Sequence, residues 1–203
     1  MLKNYEKTID GVIHQIDGVP IPYDFPYIQQ YTRYGDQMSY LRFGFIVGSL
    51  GRIPESILDV GYGNGSFLKV SQNIVKKCYG NDVSPYPVPN GAIKVSNIME
   101  DFYDVITFFD SLEHFTDIEF VKDLKCNSIC ISLPDCHYTS DEWFYEWKHR
   151  KPNEHFWHFN KQSLTKFMLR MGYELVSSTN IEDTIRKGND KEANILTCVF
   201  NKI

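Results

Sequence analysis

No apolar run in this chain reaches the length needed to cross a bilayer, and its first residues, MLKNYEKTID, lack a signal peptide's apolar core. Those absences lead to the expectation of a cytoplasmic protein with no membrane partner. No lysine or arginine tract stands out either. The net charge of −5 has the wrong sign for a nucleic-acid partner. There is no C-x-x-C pair. Five scattered cysteines, an odd number, suit reduced thiols better than a disulfide framework or a zinc site. Internal repeats and low-complexity stretches are also lacking. What remains is 203 residues, 42% hydrophobic and 23% charged, enough for one domain with a sizeable core. Aromatic residues, at 15%, are plentiful enough to fill that core or to line a pocket.

The densest signal is Asp59-Val60-Gly61-Tyr62-Gly63-Asn64-Gly65. Ile57, Leu58 and Val60 read as a buried strand, and Ser66-Phe67-Leu68-Lys69-Val70 opens a helical pattern. A strand that breaks into a glycine turn and restarts as a helix aims free backbone N–H groups at a ligand. The dinucleotide fingerprint is G-x-G-x-x-G, whereas here the third glycine comes one position early, and Asp59 is foreign to that fingerprint. A nicotinamide-dependent oxidoreductase is therefore the weaker alternative. Asp82 lies 21 positions beyond Gly61, at the expected tip of a second strand. An acid there can accept both hydroxyls of a ribose.

The segments ILDVGYGNGSFL, YGNDVSP and YDVITFFDSLEHF together resemble the class I S-adenosylmethionine (SAM)-dependent methyltransferases. The likeness is to the small-molecule enzymes with a D-x-L-E-H segment after the fourth strand. It covers roughly residues 37–203. It implies an α/β, Rossmann-like fold: a seven-stranded, mostly parallel sheet with helices on both faces and the last strand antiparallel. It also implies SAM along the carboxyl edge of the first strands. Cofactor contacts would then fall to Asp59, Gly61, Tyr62, Gly63, Gly65, Asp82, Val83, Asn97, Ile98, Asp110 and Arg42. Two positions depart from the family pattern. Position 62, often Cys or another small residue, is Tyr. Position 97, often an adenine-binding Asp, is Asn, which can still pair with an adenine edge.

The chain reads as a single domain with a short N-terminal extension, residues 1–36. Asp10-Gly11 and Asp17-Gly18 flank a partly alternating stretch there, and this suggests a small hairpin. Helical spacing of Met38, Leu41, Phe45, Ile46 and Leu50 follows. Strands are expected near 56–60, 78–82, 92–95, 104–109, 127–133, 173–179 and 194–201. Helices are expected near 65–76, 117–124 and 161–171. Such alternation implies crossover helices on a parallel sheet.

Asp110 sits at the tip of the apolar run 104–109, with His114 about one turn beyond. If the methyl acceptor is a hydroxyl, a base must take its proton, and His114 suits that task. Catalytic work is assigned to His114 and Asp110. Against it stands the reading that His114 only packs the turn and Glu113 is solvated. Residues 134–160 read as a substrate-side lid rich in aromatics and histidines. Its His137, Tyr138, His155, Trp157 and His158, with Tyr34 upstream, are the candidate acceptor contacts. Four histidines in this segment invite a metal reading, but the reading adopted is a lid without metal. Arg42 either grips the methionine carboxylate or is a solvated helix residue. The expected function is methyl transfer from SAM to a small polar acceptor. The favoured chemistry is O-methylation of a sugar or nucleotide sugar, with a non-catalytic SAM-binding domain as the alternative.

Overall fold

The computed structural model describes residues 2–22, 35–84, 86–186 and 192–203. Two short strands, β1 (Tyr5–Lys7) and β2 (Ile13–Gln15), pair as an antiparallel hairpin. Its turn is closed by the Thr8 amide on the Val12 carbonyl and the Gly11 amide on the Thr8 carbonyl. Helix α1 (Gly35–Leu50) then leads into β3 (Ser56–Val60), α2 (Ser66–Ser71), β4 (Lys77–Asn81), β5 (Ile93–Lys94), β6 (Tyr103–Phe109) and β7 (Cys126–Pro134). The remaining elements are α3 (Asp141–Glu146), β8 (Trp157–His158), α4 (Lys161–Arg170), β9 (Tyr173–Thr179) and β10 (Ile195–Lys202).

Seven strands make the main sheet, in the order β5-β4-β3-β6-β7-β10-β9. The pairs among β5, β4, β3, β6 and β7 are parallel, and β10 runs antiparallel to both its neighbours. This is the Rossmann-like sheet that the sequence implies. Strand order reverses between β3 and β6, which opens a crevice at their carboxyl ends.

The central strands are mostly apolar because both sheet faces are covered. Every residue of β6 is buried. The pleat sends Ile57, Val105, Phe109 and Cys130 to the face that packs on α1 and α2, with Phe43, Ile46 and Leu68. It sends Leu58, Ile106, Phe108 and Ile131 to the face that packs on α4, with Leu164, Phe167 and Met168. Each fully buried Ile, Leu or Phe contributes about 1.5–3 kcal/mol.

Helix α4 begins on a capping box. The Asn160 side chain accepts from the Ser163 amide, and the Ser163 hydroxyl accepts from the Asn160 amide. The helix expected near 117–124 is instead a 3₁₀ segment, Glu119–Asp123. Ile118, Val121 and Leu124 are all buried, and their three-residue spacing matches three residues per turn. Helix α2 is also shorter than expected. Past Ser71 the amides of Asn73 and Ile74 reach back three residues, and the tightened turn ends the helix. Strand β8 adds to β2, making a three-stranded sheet β1-β2-β8. No helix among the described residues is long and apolar enough to cross a membrane.

Candidate active site

The glycine turn between β3 and α2 adopts left-handed backbone at Gly61, Gly63 and Gly65, with φ of 80°, 53° and 74°. Gly61 is held by close approach: a Cβ there would lie 2.6 Å from the Cβ of Ser111. Gly63 has the opposite surroundings, since a Cβ there would meet nothing within 4 Å. Its backbone faces an open cavity of about 610 Å³, a size suited to a small-molecule ligand. Its amide donates to Oδ2 of Asp82 at 2.7 Å, and the Ser84 amide donates to Oδ1 at 2.6 Å. Asp82 is thereby fixed at the tip of β4.

Tyr62, where the resembled family favours a small residue, is turned into the protein. Its hydroxyl donates to the Tyr86 carbonyl at 2.6 Å. Room for the ring comes from Gly80 on β4, where a Cβ would lie 2.7 Å from the Tyr62 ring.

At the tip of β6, Asp110 is a non-glycine residue at φ 52°. Its carboxylate accepts from Arg42 Nη2 at 2.8 Å and from Arg186 Nη1 at 2.6 Å. Arg42 also donates to both oxygens of Glu182, at 2.8 and 2.9 Å. Glu182 is fully buried and accepts from the Ser132 hydroxyl as well. Although Asp110 is only partly exposed, the two guanidiniums beside it hold its carboxyl far below the usual carboxylate range. Asp110 is therefore no proton acceptor. The solvated reading of Arg42 is also overturned: its side chain is 11% exposed and its guanidinium lies 4.3 Å over the Phe109 ring.

The cavity continues past Asp110 to Glu113, His114 and His155. Glu113 is 1% exposed, not solvated. Burial first, and Asp110 second, push its carboxyl up to about 8. Burial pushes His114 down to about 4, so its ring is neutral at physiological pH, and the charges of Glu154 and Asp110 partly offset that effect. His155 is also driven well below the ordinary histidine range by burial. Two hydrogen bonds set His155 beside the β6 tip. The Phe156 amide donates to the Glu113 carbonyl, and Trp157 Nε1 donates to the Phe115 carbonyl, each at 2.8 Å.

Among the candidate site residues, Arg42, Gly61, Tyr62, Gly63, Asp82, Val83, Asp110, His114 and His155 line this one cavity. Others lie elsewhere. Asp59 is buried beneath the loop, where it accepts from the Thr107 hydroxyl at 2.7 Å and burial pushes it up to about 7. Gly65 packs on Pro89. Asn97 caps its own turn by accepting from the Met99 amide, and neither it nor Ile98 lines the cavity. His137 hydrogen-bonds to the Ala193 carbonyl, and the Tyr138 hydroxyl donates to Asp141. Trp157 stacks on His14 at 3.8 Å between ring centroids. His158 is buried among Tyr5, Phe144 and Trp147, where burial pushes it down to about 3. Tyr34 falls outside the described residues.

Sequence reasoning missed Glu182, Arg186, Lys148 and Lys151. The Lys148-His149-Arg150-Lys151 run was a basic signal in an acidic chain. Glu182 and Arg186 carry no local signal, because their partners on α1 and β6 are remote in sequence.

The sequence profile of a family described as "Methyltransferase domain" matches residues 40–178. No curated protein sequence matches the chain significantly. Among solved structures, the fold is similar to that of 1,6-didemethyltoxoflavin-N1-methyltransferase from Burkholderia thailandensis, bound to 1,6-didemethyltoxoflavin and S-adenosylhomocysteine. That likeness has 12% identity and a TM-score of 0.62, over 98% of this chain and 99% of that one. Magnesium protoporphyrin IX methyltransferase from Synechocystis, with bound S-adenosylhomocysteine, is similar at 14% identity and a TM-score of 0.59, over 92% and 90%. The [4+2]-cyclase SpnF shares the fold too, at 12% identity and a TM-score of 0.57, over 82% and 80%. At such identities these likenesses speak for the fold alone. With the profile match spanning more than half the residues, the chain belongs to the class I SAM-dependent methyltransferases.

Proposed function

We propose that this enzyme methylates a hydroxyl of a small polar acceptor, a sugar or nucleotide sugar. The observation that carries the proposal is the continuity of one cavity. It runs from Gly63 and Asp82 past Asp110 to His114 and His155, with Lys148 and Lys151 also on its wall. Bound SAM supplies an electrophilic methyl group on a sulfonium. Asp82 has both oxygens anchored by backbone amides and keeps lone pairs for ribose hydroxyls. Gly63 leaves space for the nucleoside to lie on its backbone. Asp110 and Arg42, balanced by Arg186 and Glu182, present both signs of charge. That suits the donor's amino-acid end, which also carries one charge of each sign.

On the acceptor side, the hydroxyl oxygen forms the new C–O bond while the C–S pair stays on sulfur, and the hydroxyl proton must leave. His114 is neutral and lines the cavity, so its ring can take that proton. Lys148 and Lys151 suit the phosphates of a nucleotide sugar. Residues 134–160 act as the lid over this half, holding the acceptor in line with the donor.

Methyl-labelled SAM incubated with sugars, nucleoside diphosphate sugars and free nucleotides tests this. Label incorporated into an alkali-stable ether on the sugar is the expected result. Label only on nitrogen or sulfur acceptors would overturn the acceptor assignment.

A further inference from the structure

In the acceptor half of the cavity stands a side chain whose surroundings its own neighbours do not satisfy. Glu113 is 1% exposed, and among the described residues neither of its carboxylate oxygens has a hydrogen-bond partner. Leaving a buried acid without a partner costs several kcal/mol, so such a group ordinarily meets a cation. The neighbours it does have are two imidazoles. One oxygen of Glu113 and one ring nitrogen each of His114 and His155 all lie within 4.8 Å of one another. The rings meet edge to face with centroids 4.7 Å apart.

We infer that Glu113, His114 and His155 bind a divalent transition-metal cation of the zinc or manganese class beside the acceptor. Two imidazoles and a carboxylate are the donor set such ions take when a position is left open for a substrate. With bonds of about 2.1 Å, donor atoms around a tetrahedral zinc stand about 3.4 Å apart, so the three groups need to close by an ångström or so. His155 is held to the site by the Phe156-to-Glu113 backbone hydrogen bond, so the frame does not have to be built on binding. The open position faces the cavity. There a bound cation would lower the pKa of the acceptor hydroxyl, with the proton passing to solvent, and ligation by His114 replaces the general-base role given to it above. This inference rests on the acceptor-side reading above.

The test uses the full chain stripped with a chelator and titrated with Co²⁺ alone. One equivalent should give visible d–d absorption that Zn²⁺ then displaces. Glu113→Gln and His155→Asn should each weaken Co²⁺ binding by about tenfold or more. Their circular dichroism and SAM affinity should match the wild type, which separates lost ligation from lost folding. No saturable cobalt signal in folded wild type, or an undiminished signal in both variants, would overturn the site. SAM binding on the same samples keeps the two readings apart. Donor binding without a cation sinks the metal site alone. Cation binding with no sugar methylated sinks the acceptor assignment and leaves the metal site standing.

Discussion

The amide of Gly63 donates to Oδ2 of Asp82 at 2.7 Å, and this one bond ties the tip of β3 to the tip of β4 across the floor of the cavity. Loop shape and ribose recognition therefore share an atom group. Asp82→Ala should weaken SAM by tenfold or more, since hydrogen bonds to a charged group are worth about 1.5–3 kcal/mol each. Isothermal titration would show it. An affinity within a factor of two of wild type would put the nucleoside elsewhere.

Gly63→Val should leave a folded protein that no longer binds SAM. A Cβ there meets nothing within 4 Å and opens onto the cavity that Gly63 lines, although φ of 53° makes the residue strained by about 1–2 kcal/mol. Gly63→Ala should retain weak binding. Melting curves beside the titrations check that the loss belongs to the site. Undiminished binding by a folded valine variant would contradict the placement of the donor.

Glu182→Ala removes one carboxylate from a buried set of two arginines and two acids. The two guanidiniums would then share Asp110 alone. Breaking a buried pair in this way costs about 3–5 kcal/mol. Urea unfolding should show a loss of that size, and a loss below about 1 kcal/mol would mean that water reaches the cluster.

Asp104, far from the cavity, should make stability depend on acid. Hydrogen bonds from Arg52, Asn127 and the Glu55 amide hold its carboxyl down to about 2. Its unfolded value is about 3.9. The folded pKa is depressed, so its stabilisation is complete above about pH 4 and is lost as pH falls through about 2. The stability gap between wild type and Asp104→Asn should shrink over that window. A gap that stays constant from neutral pH to about 2 would show that the pairing is not ionic.

The donor half of the cavity was legible because local chemistry dictates it. A short apolar run, three glycines and an acid after the next strand each leave a mark within a few residues, and the strands at 56–60 and 173–179 fall where the pattern puts them. The acceptor half was not legible. Glu113 reads as solvated by composition, and only the return of residues 155–157 across Glu113 and Phe115 buries it. Strand β8, two residues long, has no periodicity to detect. Ile118, Val121 and Leu124 satisfy helical spacing as well as 3₁₀ spacing, so only the tight connection to β7 distinguishes them. His158 looked like an acceptor contact because histidines near a site read as polar, while its actual neighbours are the rings of Tyr5, Phe144 and Trp147.

Strand β10 lies between β7 and β9, and β9 pairs with no other strand of the main sheet. During synthesis, then, β7 carries an open edge and β9 waits alone until residues 195–202 emerge. The interior of the sheet is closed by a strand that follows both of its neighbours along the chain. Pairing across so many residues is slow, and an exposed strand edge in the interval invites association with other chains. A ribosome-bound chain that already contains the whole glycine loop should still lack a finished sheet, and its yield on expression should follow how quickly Cys198, Val199 and Phe200 are buried.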